Sequence, residues 1–93
     1  SVYEWKNLPD SVDERFIEKA VEIVEQNIAE TEFSVEDLSK ALFMSRVALY
    51  KKLLSLTGKA PLDFIRIIRM KRAAQLMEKT QMKSMKFLKR RLL

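Results

Sequence analysis

Three serines limit what this chain can fold into, because each heads a run whose apolar residues recur at helical spacing. Ser11-Val12-Asp13-Glu14 has capping-box spacing, with a hydroxyl placed to accept from a first-turn amide and a glutamate placed to reach back. Ser34-Val35-Glu36-Asp37 repeats the signal and sets two acids in the first turn, where the helix dipole favours them. Ser45 is a third N-cap candidate, directly before Arg46-Val47-Ala48-Leu49-Tyr50-Lys51-Lys52-Leu53-Leu54. The chain's single glycine, Gly58, falls where this third run should end, and Pro61 falls where a fourth can begin at its N1 position. No strand alternation, internal repeat or low-complexity linker interrupts the pattern, so the expected fold class is all-α.

Periodicity gives each run an inner and an outer face. In the first, Phe16, Ile17, Ala20, Val21, Ile23, Val24 and Ile28 share an arc of about 160°, opposite Arg15, Glu18, Lys19, Glu22, Glu25 and Glu30. That is a supporting helix with a solvated acidic back. Val35, Leu38, Ala41 and Leu42 form the inner stripe of a short second helix, and Phe43-Met44 is a brief break. In the third run Leu49, Leu53 and Leu56 are expected to point inward, while Arg46, Val47, Tyr50 and Lys51 share the outward face. The fourth helix, residues 61 to about 79, carries Leu62, Phe64, Ile65, Ile68, Ala73, Leu76 and Met77, with Arg66, Arg69, Lys71 and Arg72 between them. It is long enough to bridge two units. Residues 1–10 hold Tyr3, Trp5 and Leu8 without a period and are expected to form a linker or arm.

Composition removes whole classes of function. The 93 residues allow one small domain, near the lower limit for a core without staples, and no cysteine is present to make a disulfide. Without His or Cys there is no imidazole or thiolate for zinc or for a nucleophile pair, so no catalysis, cofactor, metal or small-molecule substrate is expected. No apolar run approaches the roughly 20 residues of a membrane span, and no signal layout opens the chain, so a soluble domain is expected. The net charge of +5 hides a division: residues 1–33 carry −6 and residues 34–93 carry +11. A basic surface confined to the later part points to a polyanionic partner, nucleic acid first and an anionic membrane face second.

Two short helices joined by a tight turn, the second serine-capped and studded with cations, fit a helix-turn-helix over residues 34–57. A DNA major groove admits one α-helix, phosphates accept from hydroxyls and from amides at helix N-termini, and Lys or Arg neutralises backbone charge. The expected partner is therefore double-stranded DNA.

The wording of the segment narrows this further. Residues 35–53 (VEDLSKALFMSRVALYKKL), then Leu56-Thr57-Gly58-Lys59-Ala60-Pro61, Phe64-Ile65-Arg66 and Arg69-Met70-Lys71-Arg72-Ala73-Ala74-Gln75-Leu76-Met77, closely resemble the first half of an AraC-type DNA-binding domain. The S-x-x-x-L-x-x-x-L element, the T-G-x-x-P corner and the I-R-x-x-R-x-x-x-A-x-x-L linker helix carry the likeness, which covers roughly residues 13–82. It looks most like the regulators at the C-terminal end of hybrid two-component sensors, where a phosphorelay controls carbohydrate-use genes.

The resemblance implies a homeodomain-like, three-helix helix-turn-helix unit followed by a long linker helix, in a cytoplasmic regulator or at the cytoplasmic end of a membrane-bound sensor. It makes residues 45–56 the recognition helix, with Val47, Tyr50 and Lys51 at positions that face base edges and Arg46 beside them. Ser45 matches a phosphate-contacting position, and Lys40 and Lys52 are the further phosphate candidates. Arg69 matches a family arginine whose role is structural.

The family pattern then stops. Its second helix-turn-helix should begin near Thr80-Gln81-Met82, but residues 83–93 (KSMKFLKRRLL) are a basic tail without an acid and do not match. Back-translated with permitted codons and read two nucleotides later, the tail gives Ile-Asn-Glu-Ile-Ser-Glu-Ala-Ala-Ala-Ser, which looks like the missing helix. The expectation is a frame-shifted, truncated second unit. Phe43 stands where this turn often has Gly, so a positive φ there would carry strain, and Ala60 replaces the usual Ser before Pro61. The linker-helix face of Ile65, Ile68, Ala73, Leu76 and Met77 should lose part of its cover, giving self-association or tail packing. The alternative reading is a helical protein-interaction module without DNA binding, and a weaker third is membrane-surface docking through residues 82–93.

Overall fold

The computed structural model describes residues 11–92, and these are all-helical: α1 (Val12–Gln26), α2 (Val35–Ala41), α3 (Arg46–Thr57) and α4 (Pro61–Leu92). No strand occurs among the described residues. The expected arm, residues 1–10 with Tyr3 and Trp5, lies outside them.

All three serines cap the helices that follow them. The Ser11 hydroxyl accepts from the Glu14 N–H at 3.1 Å, and the Ser45 hydroxyl accepts from the Ala48 N–H at 3.1 Å. Ser34 makes the full reciprocal box: its Oγ accepts from the Asp37 N–H at 3.3 Å, and its own N–H donates to Asp37 Oδ2 at 2.9 Å. The backbone hydrogen bond from Ser34, reinforced by the Ser34 hydroxyl, holds the Asp37 carboxyl below its ordinary value.

Helix ends are equally specific. At the end of α2 the Met44 N–H reaches Ser39 O at 2.9 Å and the Phe43 N–H reaches Lys40 O at 3.1 Å, the paired bonds of a Schellman motif. The residue that must turn left-handed in this motif is Phe43, with φ 57, so the strain foreseen at this position is present. At the end of α3 the left-handed residue is Gly58, φ 72, whose N–H donates to Leu54 O at 2.9 Å. Thr57 completes that corner, its Oγ1 donating to Leu53 O at 2.7 Å and accepting from the Lys59 N–H at 3.1 Å. Pro61 then opens α4, as its fixed φ and missing N–H favour.

The core draws on every helix. Ala20, Ile23 and Val24 come from α1, Leu38 from α2, Leu49 and Leu53 from α3, and Phe64 and Ile65 from α4. Phe16, Ile17, Val21, Phe33, Val35, Leu42 and Ile68 pack round this centre, half-buried. Among the described residues one polar residue is buried there, Ser39, and its hydroxyl donates to Glu36 O at 2.7 Å. Arg69 ties α4 across the chain, its Nη2 donating to Glu30 O at 2.8 Å in the loop after α1. The structural role expected for Arg69 is thus visible as a hydrogen bond.

Several expectations need correction. Ala41 and Leu56, placed on inner stripes by period, are exposed, because the short α2 and the last turn of α3 lie at the edge of the core. The fourth helix does not stop near Lys79 but runs to Leu92. Nothing in residues 79–92 is Gly or Pro, and Lys, Met, Leu, Gln and Arg are all good helix formers, so propensity carries the helix on past Lys79. Met85, Lys86 and Arg90 are exposed, so these tail side chains do not pack back on the domain. Of the α4 face expected to lack cover, Ala73, Leu76 and Met77 are exposed, whereas Ile65 is buried and Ile68 half-buried. The Cα radius of gyration is 18.1 Å, against about 12 Å for a compact chain of this length, because α4 projects beyond the core.

Two outcomes test this account. Phe43→Gly should stabilise the protein by about 1 kcal/mol in urea denaturation, since relief of the left-handed strain outweighs the added freedom of the unfolded chain. Asp37→Asn should flatten the acid limb of the stability profile. A carboxyl depressed in the folded state contributes stability above its unfolded pKa and loses it as pH falls through the folded value, so parent and variant should converge in strong acid.

Candidate nucleic-acid interface

Helix α3 is amphipathic in an unusual sense: one side is core and the other is neither acidic nor uniformly charged. Leu49 and Leu53 are fully buried, which fixes the rotation of the helix about its axis. At 100° per residue that rotation sends Arg46, Tyr50, Leu54, Val47 and Lys51 outward in an arc of about 140°. All five are exposed, Val47 at 64% and Tyr50 at 49%. No Asp or Glu occurs in α3, which carries the cations Arg46, Lys51 and Lys52.

The face lies in a shallow, open groove rather than on a bare convex helix. Arg46, Val47, Tyr50 and Lys51 line it together with Val35 at the start of α2 and with Ala60, Pro61 and Leu62 at the start of α4. Two helix N-termini therefore flank the α3 face, each presenting the positive end of its dipole. Their first turns contain Glu36 and Asp37 in α2 and Asp63 in α4. The corner held by Thr57, Gly58 and Pro61 is what brings the start of α4 beside α3.

The four residues expected to meet bases thus stand together on one accessible face. The phosphate candidates are more dispersed. Ser45 sits at the N-cap, accepting from Ala48, and its hydroxyl hydrogen remains able to donate. Lys40 lies on α2, exposed, with its ammonium 3.6 Å from Glu36 Oε1 in an i,i+4 ion pair. Lys52 points to the other side of α3, where its ammonium stands 4.4 Å from the centroid of the Phe16 ring on α1. It is half-buried and is not brought into the Arg46–Val47–Tyr50–Lys51 group.

Reading the sequence missed Leu54, 42% exposed in the middle of the outward arc. Its spacing of four from Tyr50 and seven from Val47 was the available signal, masked because leucine in a helix is ordinarily counted as core. Leu62, also exposed and lining the groove, had no signal in α3 at all and depends on the corner geometry.

Chemically the face offers two cationic donors, a phenol that both donates and accepts, and the methyl groups of Val47 and Leu54. Those are the contacts that base edges, thymine methyls and phosphates take up. Among the described residues no group of three or more carboxylates is placed to hold a metal ion. Nor is any helix of the described residues long and apolar enough to cross a membrane.

No protein-family model matches the chain, and no solved structure matches it. Among curated proteins, the chain is similar to one named Histidine kinase P4 from Formosa agariphila, with 46% identity over 68 residues. The match takes in 73% of this chain and 5% of that protein, so the chain spans only a small part of its relative's length.

The position of Lys52 has a consequence that separates it from its neighbour. Lys52→Ala should lower stability by about 0.5–1 kcal/mol through loss of the cation–π contact, whereas Lys51→Ala should leave thermal unfolding unchanged within about 0.5 kcal/mol.

Proposed function

We propose that this chain is the DNA-binding fragment of a sequence-specific transcription regulator, with α3 as the recognition helix of a helix-turn-helix formed by α2 and α3. The observation that carries the reading is the outward face of α3: Arg46, Val47, Tyr50 and Lys51 exposed together on a helix that contains no acid. On this reading α2 lies across the groove and α3 enters it. Lys51 or Arg46 donates to guanine O6 or N7, Val47 packs on a thymine methyl, and Tyr50 serves either end. Ser45 and Lys40 supply phosphate contacts that fix register.

The likeness to AraC-type domains supports the same conclusion, with α1 as supporting helix and α4 as linker helix. The relative's name adds a setting. A histidine kinase requires a phosphoacceptor imidazole, and this chain has no histidine, so any such chemistry belongs to parts of a larger protein outside it. We place this chain as an output module of a two-component sensor, reading DNA under the control of a sensory part.

Binding by one unit should be weak and dominated by phosphates, hence steeply salt-dependent. The test is fluorescence anisotropy of labelled duplex titrated with the full chain at two salt concentrations. Lys51→Ala should weaken binding about tenfold in a chain that also carries Lys79→Gln and Lys86→Gln, which keeps the exposed α4 cations from masking the effect. Duplex binding that ignores both salt and Lys51 would overturn the assignment.

A further inference from the structure

We propose that the projecting part of α4 is a docking helix for a second copy of this chain, received in the groove beside that copy's α1. The proposal does not rest on DNA binding, and its test uses no DNA.

The first observation is a helix without support. From Met70 to Thr80 every residue of α4 is exposed. A helix of this length is marginal in water by its own propensity and ordinarily owes its stability to packing of an apolar face. Such a face exists. At 100° per residue Met70, Ala73, Ala74, Met77 and Met85 fall within an arc of about 120°, and Met70 and Met77 are 70% and 65% exposed. Lys71, Lys79, Lys86 and Arg90 occupy the opposite arc, all exposed. The extension is thus a basic amphipathic helix whose apolar stripe is rich in methionine, a side chain that adapts to irregular surfaces.

The second observation is a surface of matching chemistry. Along α1 a shallow groove has half-buried Ile17 and Val21 as its floor and exposed Glu22 and Glu25 on its rim, with Arg72 of α4 at its far side. Floor and rim together ask for an occupant that is apolar on one face and cationic on the other.

Charge decides between this groove and the simpler pairing of two α4 helices. Side by side, two extensions would bring together helices that each carry Lys71, Lys79, Lys86 and Arg90 against one acid, Glu78, so like charge gathers on the pair with no acidic surface to offset it. The acidic part of this chain is its beginning, residues 1–33 at −6, and α1 with Glu22 and Glu25 lies within it. The stripe of α4 meets the Ile17–Val21 floor while the cations sit in the field of the α1 acids. With the exchange reciprocal between the same two copies, the contact is two-fold and closes at a dimer.

Sedimentation velocity of the full chain over a concentration series tests this. The expected result is a monomer–dimer equilibrium that shifts towards monomer as salt rises. Glu22→Lys with Glu25→Lys should weaken the dimer about tenfold, and Lys79→Glu with Lys86→Glu in the same chain should restore it. Met77→Ser should weaken it as well, and Lys51→Ala should leave it unchanged, which separates this proposal from the DNA reading. Circular dichroism establishes that each variant keeps its helices. A chain that stays monomeric at all concentrations overturns the proposal, as does a dimer indifferent to both the charge pair and Met77. A monomer that loses duplex binding through Lys79→Glu and Lys86→Glu overturns it in favour of a nucleic-acid surface on α4.

Discussion

The packing of Leu38, Leu49 and Leu53 sets the arrangement of α2 and α3, and it is strong enough to hold the turn at Phe43 left-handed. Helix α2 has seven residues, too few to be stable alone, and it is fixed at its start by the reciprocal Ser34–Asp37 box and at its end by the two hydrogen bonds that Met44 and Phe43 donate back. Those end bonds require one left-handed residue, and the chain supplies phenylalanine where glycine would be easier. The ring gains nothing from burial, being 95% exposed. The motif persists because Leu38, Leu49 and Leu53 are all fully buried and define one angle between the helices, so core packing holds the turn in a conformation its own side chain disfavours.

That same packing sets which side of α3 meets solvent. With Leu49 and Leu53 in the core, Val47, Tyr50 and Leu54 cannot also reach it, and they stand in water beside Arg46 and Lys51. Exposed apolar groups on a helix that could have been polar there are a cost to solubility, and they make sense on a surface that is covered when a partner binds. The proposed DNA reading gives that cost a purpose, because thymine methyls and the C–H faces of the sugars are apolar.

Much of this was legible in the sequence for local reasons. Capping serines, the Thr57–Gly58–Pro61 corner and the stripes of α1 and α3 are short-range signals, and the helices begin where those signals put them. The outward positions of Arg46, Val47, Tyr50 and Lys51 followed from period alone. What the sequence hid depends on neighbours: Leu56 and Ala41 lie on the right stripes but at the core's edge, and Lys52 is committed to Phe16, 36 positions away in sequence by residue number, an approach that no spacing reveals. The run of α4 to Leu92 was hidden for the opposite reason. A segment that fails to match a family can still be a good helix, since propensity and ancestry are separate properties.

The division of labour within α4 determines how experiments on this chain should be read. Phe64 and Ile65 are buried, Arg69 bonds to Glu30, and from Met70 to Thr80 every side chain of the helix is exposed. Stability therefore resides in α1, α2, the inner side of α3 and the first turns of α4. The outward face of α3 and residues 70–80 of α4 are exposed and supply none of the eight core residues, so substitutions there change what the protein binds far more than whether it folds. A loss of duplex binding at Lys51 and a loss of association at Met77 can accordingly be taken as interface effects. A loss at Lys52 cannot, because that side chain connects α3 to the supporting helix and any change in it moves both.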